Sequence, residues 1–358
     1  MMEYIVMVLV SILGDFHSSI LPIFYEFKEK ITKHILIHDD SEHDIKQLAK
    51  ILKGQEFFLT NYETQNGRNL EFEILPIKVK EDSFESIQQC YKEIIKHSQN
   101  PKDIFLNSTD GLTSITLVLT NQLLELGSNI IVYDRYANTY NLHSKNSMLK
   151  HKVHKIIDIK NHLRLKGYDL VGFTNRFTLE RRKPFIKEIT QNLPQFKNFA
   201  NTYTRTDSTK GFYKGLIQQI GENKEQFVKG GIFEEYIYWL IKDNFEVDDI
   251  MTGVTVQFDK DVNNEIDILI MKDNHLHTIE CKFTDNFKTS EYLYKTDSII
   301  DYIDDDGKGM ILTVGNKNIG HQDLARAKND NINFYAVKKF DEQHFLDEFR
   351  KWFSIKGK

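Results

Sequence analysis

From Tyr4 to Ser11 the chain is apolar almost without interruption, the pattern of a strand covered on both faces. Polar and apolar positions then alternate between two periods. A helix is expected from Ser19 to Ile31, a short strand from His34 to His38, and a helix from Ser41 to about Lys53 with acids in its first turn. Phe72 to Ile77 reads as a strand and Ser83 as the cap of a helix ending near Lys96. Ile104 to Leu106 is strand-like, and Asn107-Ser108-Thr109-Asp110-Gly111 is a turn. A helix from Leu112 to Leu126 stops near Gly127, and Asn129 to Tyr133 is a further strand. Such alternation predicts a parallel sheet with helices on both faces.

The signal weakens after Tyr136, where Lys, Asn, Thr and Phe dominate and only patches such as Arg181 to Asn192 look helical. In the last third the pattern returns. A helix is expected over Gly231–Lys242, strands over Gly253–Phe258, Asn264–Met271 and Leu276–Phe283, and a helix over Ser290–Tyr302. Then follow a strand at Met310–Val314, a helix near Gln322–Asn329, a strand at Asn333–Val337 and a helix from Asp341 to Phe353. The expected fold class is α/β throughout. Residues 1–140 form a Rossmann-like ligand-sensing domain, 141–226 a basic connecting region, and 227–358 a domain with a mixed sheet.

Length and composition fit this division. A chain of 358 residues exceeds one ordinary core, and 40% hydrophobic content with 28% charge is that of a soluble globular protein. No run reaches the ~18 apolar residues of a membrane span. The apolar start has no basic residue before it and an acid at Glu3, so a buried strand is expected rather than a signal peptide. Cys90 and Cys281, far apart, suggest a reducing, cytoplasmic setting with neither a disulfide framework nor a zinc site. The formal net charge of −5 excludes a global cationic field. The distribution is uneven, however. His151 to Lys229 holds 16 Lys+Arg against 7 Asp+Glu, a net of +9, which leaves −14 elsewhere. That stretch is either a surface for phosphates or a solvated face.

Chemistry is concentrated on two neighbouring strands. In Asn264-Glu265-Ile266-Asp267-Ile268-Leu269-Ile270 the isoleucines share one face, with Glu265 and Asp267 on the other. After a turn, Glu280 and Lys282 share a face of Leu276-His277-Thr278-Ile279-Glu280-Cys281-Lys282-Phe283. A hairpin would therefore present Asp267, Glu280 and Lys282 together. Burying these charges without partners is costly. A strand-edge ion pair is one solution. A divalent cation held by the hard oxygens of Asp267 and Glu280 is another, and it makes a catalyst, with Lys282 positioning water or offsetting charge on a phosphate.

At these residues the chain resembles the PD-(D/E)xK nucleases, in which an acid ending one strand precedes Glu-x-Lys on the next. No proline precedes Asp267. The resemblance implies a catalytic set of Glu234, Asp267, Glu280 and Lys282. It implies Mn²⁺ or Mg²⁺ held by Asp267, Glu280, Glu234 and the backbone carbonyl of Cys281. Glu234 is preferred to Glu235 because it shares a helical stripe with Ile237, Tyr238 and Ile241. Lys295 could approach the substrate phosphate from the following helix.

The N-terminal half offers two loops at the carboxyl ends of its strands, where doubly wound sheets bind ligands. One runs from Ser11 to Ser18, and the other is Asn107-Ser108-Thr109-Asp110-Gly111-Leu112-Thr113. Neither is a dinucleotide or Walker loop, and both could be plain βα turns. Joined to the C-terminal motif, they resemble the CARF-domain effector nucleases of type III CRISPR systems. That resemblance implies a homodimer activated by a cyclic oligoadenylate, often the cyclic tetra-adenylate, and cleavage of single-stranded DNA, RNA or duplex DNA. Leu13, Gly14 and Ser18 would line the ligand pocket with Asn107, Thr109, Gly111 and Thr113. The family turn reads Asn-x-Thr-Gly-Gly-Thr-Lys. Here Asp110 replaces a glycine, Leu112 a threonine, and no lysine follows. An acid beside a phosphate-rich ligand is unexpected. Two other readings stand beside the gated nuclease: a ligand-responsive regulator that binds nucleic acid without cutting, and a constitutive restriction- or repair-type nuclease.

Overall fold

The first strand, β1 (Met7–Ile12), is buried along its whole length because it separates two cores. Met7 and Leu9 face one, and Val8, Val10 and Ile12 face the other. A computed structural model describes residues 6–14, 19–62, 69–204, 211–221, 224–259, 262–284, 288–304, 306–315 and 319–354. The chain divides into two compact units, Met1–Tyr168 and Asp169–Lys358.

In the first unit β1 is followed by α1 (Ile20–Phe27), β2 (Ile31–His38), α2 (Glu42–Asn61), β3 (Glu73–Lys78), α3 (Phe84–Lys96), β4 (Ile104–Asn107), α4 (Thr113–Leu126) and β5 (Asn129–Asp134). Two helix starts follow from side-chain chemistry. Ser41 Oγ accepts from the Asp44 N–H, and Ser83 Oγ accepts from the Ser86 N–H. Helix α4 stops at Gly127, whose φ of +94° only glycine adopts readily. The strands order as β3-β2-β1-β4-β5, all parallel, so the order reverses between β1 and β4. This is the switch point of strand order at which doubly wound sheets bind ligands.

The span expected as a connecting region is divided between the units. Residues 141–168 belong to the first, where β6 (Thr139–Ser144) and β7 (Ser147–Lys152) extend the sheet as an antiparallel hairpin. Helix α5 (Ile159–Leu165) packs on α2 at Gly54, where a Cβ would meet the Arg164 and Leu165 carbonyls at 2.5 Å. Residues 169–226 belong to the second unit. There β8 (Asp169–Gly172) lies at a sheet edge, and α6 (Arg176–Thr190), α7 (Leu193–Thr202) and α8 (Phe212–Ile220) carry core residues. The apolar stripe Leu179, Ile186, Ile189, Leu193, Phe196 and Ala200 is buried at helical spacing. It is masked in the sequence by the Lys- and Asn-rich residues between.

The remaining elements are α9 (Ile232–Asn244), β9 (Asp249–Asp259), β10 (Val262–Lys272), β11 (His275–Lys282), α10 (Thr289–Ile303), β12 (Gly309–Val314), α11 (His321–Asn329), β13 (Ile332–Val337) and α12 (Glu342–Ser354). Their sheet orders as β13-β12-β11-β10-β9-β8, antiparallel from β8 to β11 and parallel from β11 to β13. It is the mixed α/β sheet expected from the pattern. Among the described residues no helix is long and apolar enough to cross a membrane.

Candidate functional site

The hairpin of β10 and β11 sets Ile268 opposite Ile279. One step further along the same register brings Asp267 beside Glu280. Ile268, Ile270, Ile279, Cys281 and Phe283 go into one core with α9, which leaves Asp267, Glu280 and Lys282 for the other face. The Lys282 ammonium lies 2.6 Å from Glu280 Oε1 and 3.4 Å from Asp267 Oδ2. From α10, Lys295 reaches both Glu280 oxygens, at 3.1 and 3.0 Å. The Cys281 N–H donates to Asp267 Oδ2 at 2.7 Å, and Thr252 Oγ1 donates to the Asp267 carbonyl. Asp267 is 5% exposed and Glu280 2%. The three residues expected together are together, and Lys295 joins them.

Glu234 lies on α9, at the end of the same cavity. A π turn, Phe227–Gly231, leads into that helix, and a Cβ on Gly230 would sit 3.2 Å from Glu234 Oε1. Such wide turns are frequent at functional sites. Phe233 stacks on Phe283 with ring centres 4.7 Å apart, fixing α9 against the Glu-x-Lys strand. The neighbouring acid is occupied otherwise: Glu235 accepts from Arg182 at 2.7 Å, and the Arg182 guanidinium lies 4.6 Å from the Phe227 ring centre. Both glutamates line the cavity, but Glu235 is bound to Arg182, whereas Glu234 faces the charge of Asp267.

The electrostatics are those of crowded acids. Burial, and then the charge of Glu280, pushes the Asp267 carboxyl up to about 6, against the opposing pull of Lys282. Burial and the charge of Asp267 push Glu234 well above the ordinary carboxylate range. Burial works against the Lys282 ammonium, yet Asp267 and Glu280 hold it protonated more firmly than a free lysine. The Cys281 thiol, buried beside Asp267, is raised far out of the reactive range, so only its backbone can take part.

The surrounding cavity, about 1030 Å³, is lined by groups that no motif marks: Glu265, Arg182, Lys224, Lys229 and Tyr292. Tyr292 sits under Lys282, with the ammonium 4.8 Å from its ring centre. Their signal lies only in placement, since each is an ordinary surface type. Among the described residues no group of three or more His, Cys, Asp or Glu side chains is arranged to hold a metal ion. The lysines occupy the carboxylates instead. The donor set still suits a hard divalent cation: Asp267, Glu280 and Glu234 bring hard carboxylate oxygens together, and a cation would offset both the burial and the mutual repulsion that raise Asp267 and Glu234.

This arrangement has a counterpart among known families. Residues 221–352 match the family model of the Card1-like endonuclease domain. That match spans the π turn, the hairpin and α10, so the second unit carries an endonuclease domain of this kind. The whole chain also shares its fold with solved structures. Can2 from Sulfobacillus thermosulfidooxidans, solved in complex with cyclic tetra-adenylate, matches over 96% of this chain and 98% of its own, at 18% identity and TM-score 0.70. Protein VC1899 from Vibrio cholerae matches over 98% and 99%, at 16% identity and TM-score 0.70. A type III CRISPR defence DNA nuclease activated by cyclic oligoadenylate matches over 97% of this chain at 13% identity and TM-score 0.57. This chain spans about half of that one, 51%. No curated protein sequence matches the chain.

In the first unit the two expected loops touch. A Cβ on Gly14 would meet the Gly111 Cα at 2.7 Å, and Gly111 has φ +119°. Only glycine serves at both places. The other residues expected there divide. Leu13 is fully buried in a small core with Ile20, Leu36 and Ile51. Asn107 Oδ1 accepts from the Thr109 N–H and hydroxyl, and Thr109 Oγ1 accepts from the Tyr133 N–H at 2.8 Å. Those atoms build the loop. Thr113 is exposed at the start of α4. Ser18 lies outside the described residues.

Proposed function

We propose that this protein is a divalent-metal-dependent nuclease whose cleavage of phosphodiester bonds is switched on by a cyclic oligoadenylate bound in the first unit, as part of type III CRISPR defence. The observation that carries the reading is the convergence of Asp267, Glu280 and Lys282 on one hairpin inside a Card1-like endonuclease domain. A fold shared with a structure that holds cyclic tetra-adenylate supports the sensor role and favours the tetramer as activator.

In this reading Asp267 and Glu280, with the Cys281 carbonyl and Glu234, hold Mn²⁺ or Mg²⁺. The ion supplies Lewis acidity and a more acidic bound water. Lys282 stays protonated, orients the attacking water and offsets negative charge that develops on the phosphate. Lys295, which holds both Glu280 oxygens, would contact a substrate phosphate if Glu280 served as a metal ligand. Lys224 and Lys229 lie along the cavity where a nucleic-acid backbone, DNA or RNA, would run. The protein acts as a homodimer, with the ligand shared between two sensor units.

The test is cleavage of labelled single-stranded DNA, RNA and plasmid with Mn²⁺ or Mg²⁺, with and without cyclic tetra- and hexa-adenylate. Cleavage that needs both metal and ring supports the reading. Metal-dependent cleavage that ignores the ring makes the enzyme constitutive. Binding of nucleic acid with no cleavage under any condition makes it a regulator.

A further inference from the structure

Asp110 stands in the loop after β4, where the family that the chain resembles has glycine, and its carboxylate is paired within the first unit. Its Oδ1 lies 3.1 Å from Nη2 of Arg135, with the two side chains only 12% and 18% exposed. The pair sits at the carboxyl end of the parallel sheet, between the loop after β4 and the turn after β5.

Both partners are held rigidly. Thr109 Oγ1 accepts from the Tyr133 N–H, which ties the Asp110 loop to β5. The Tyr133 hydroxyl donates to Asn138 Oδ1 at 3.0 Å, and Asp134 Oδ1 accepts from the Ala137 N–H at 3.2 Å, which shapes the turn carrying Arg135. On the other side, Gly111 rests against Gly14 and Ile12 with no room to retreat. Tyr136, the next residue in the chain, is 57% exposed.

A guanidinium at this end of a doubly wound sheet is the group suited to receive a phosphate, because its fork matches two oxygens. A carboxylate fixed on that fork is an internal substitute for the ligand's own charge. We infer that Asp110 is a built-in counter-anion on Arg135, which a phosphodiester of the activating ring must displace, so that the pair sets the ligand concentration at which the sensor responds. The inference rests on the reading that the first unit binds such a ring. Exchange leaves the displaced carboxylate beside a phosphate, and this like-charge contact is absent when residue 110 is neutral. The lysine missing from the loop is then answered by Arg135 from the neighbouring turn, at an affinity lowered by Asp110.

The experiment measures binding of labelled cyclic tetra-adenylate, and of inorganic tripolyphosphate as a minimal probe, to the full chain and its variants. Asp110→Asn should bind both about tenfold more tightly, the size of one like-charge contact at a half-buried site. Arg135→Ala should bind both about tenfold more weakly. The gain from Asp110→Asn should vanish in the Arg135→Ala background, because it acts through that guanidinium. Asp110→Gly repeats the test should asparagine disturb the turn. A merely structural ion pair would lower the melting temperature of both single variants and tighten binding in neither. Unchanged or weaker binding of both probes by folded Asp110→Asn and Asp110→Gly overturns the inference, even if the wild-type protein binds the ring. Tighter tripolyphosphate binding that depends on Arg135 upholds it. Should the ring then bind no variant, the sensor reading falls while the anion exchange stands.

Discussion

Replacing Lys282 with alanine separates catalysis from architecture. In the intact site the ammonium lies 2.6 Å from Glu280 and 3.4 Å from Asp267, so it is fixed before any substrate arrives. A preorganised charge of this kind is worth about 10²–10³ in rate, or roughly 3–4 kcal/mol of barrier. Stability changes less. Removing one partner of a buried ion pair costs up to about 3–5 kcal/mol when the other charge is stranded. Here Lys295 still holds Glu280, and Asp267, with its carboxyl already raised to about 6, can take up a proton. The expected loss is therefore well below that ceiling, about 1–2 kcal/mol. The assay is Mn²⁺-dependent cleavage of labelled single-stranded DNA with cyclic tetra-adenylate present, beside ring binding and thermal unfolding with and without Mn²⁺. The variant should bind the ring normally, unfold a few degrees lower, regain part of that loss with Mn²⁺, and cleave at least a hundredfold more slowly. A cleavage rate within a few-fold of wild type would remove Lys282 from the mechanism.

Four further outcomes follow from the contacts of single residues. Glu234→Gln should keep or raise the melting temperature, since it removes an acid held above its usual pKa, while lowering cleavage by at least about tenfold. Glu235→Ala strands the Arg182 charge and should instead cost about 3 kcal/mol of stability; the reverse ranking of these two variants would show that the helix stripe was misread. His34 is buried between Ser11 and Gln55, and burial drives its pKa down to about 4. The unfolded chain therefore binds the extra proton, so stability is complete above about pH 6.5 and falls by up to about 3 kcal/mol as pH drops towards 4. Urea unfolding of the first unit across this range should flatten in His34→Gln, and an unchanged slope would show that another group carries it. Gly111→Ala needs a positive φ and places a methyl against Ile12, so it should cost about 1–3 kcal/mol and weaken ring binding; wild-type affinity would place the ligand elsewhere.

Much of the site was legible from strand periodicity alone. Alternation along β10 and β11 placed Asp267, Glu280 and Lys282 on one face, because side chains on a strand have nowhere else to point. The 3.6-residue stripe separated Glu234 from Glu235 for the same kind of reason. The loop residues of the first unit were less legible. Asn107 and Thr109 were expected to meet a ligand; in the structure their oxygens are bonded within the loop and to β5. Polar residues in a turn have both uses, and only the positions of their partners distinguish them. The middle of the chain was expected as a connector with helical patches, and the narrow apolar stripe of α6 and α7 lies among charged residues that hide it. The hairpins joining β5, β6 and β7 were missed for another reason: β6 is mostly half-buried and β7 mostly exposed, so both carry little apolar alternation.

By itself, the sequence determined the α/β alternation, the parallel core around β1, and which face of β10 and β11 carries charge. These depend on local periods that the backbone imposes. Tertiary structure alone decided three things. It divided residues 141–226 between two units, brought Lys295 and Tyr292 to the Glu-x-Lys strand from α10, and set Arg135 against Asp110 across two loops. The last two are contacts between residues 10 or more positions apart, and the first depends on which sheet a segment joins. Chain spacing carries no record of either choice. Each is settled by where a buried charge can find an opposite one and where an apolar face can find a core.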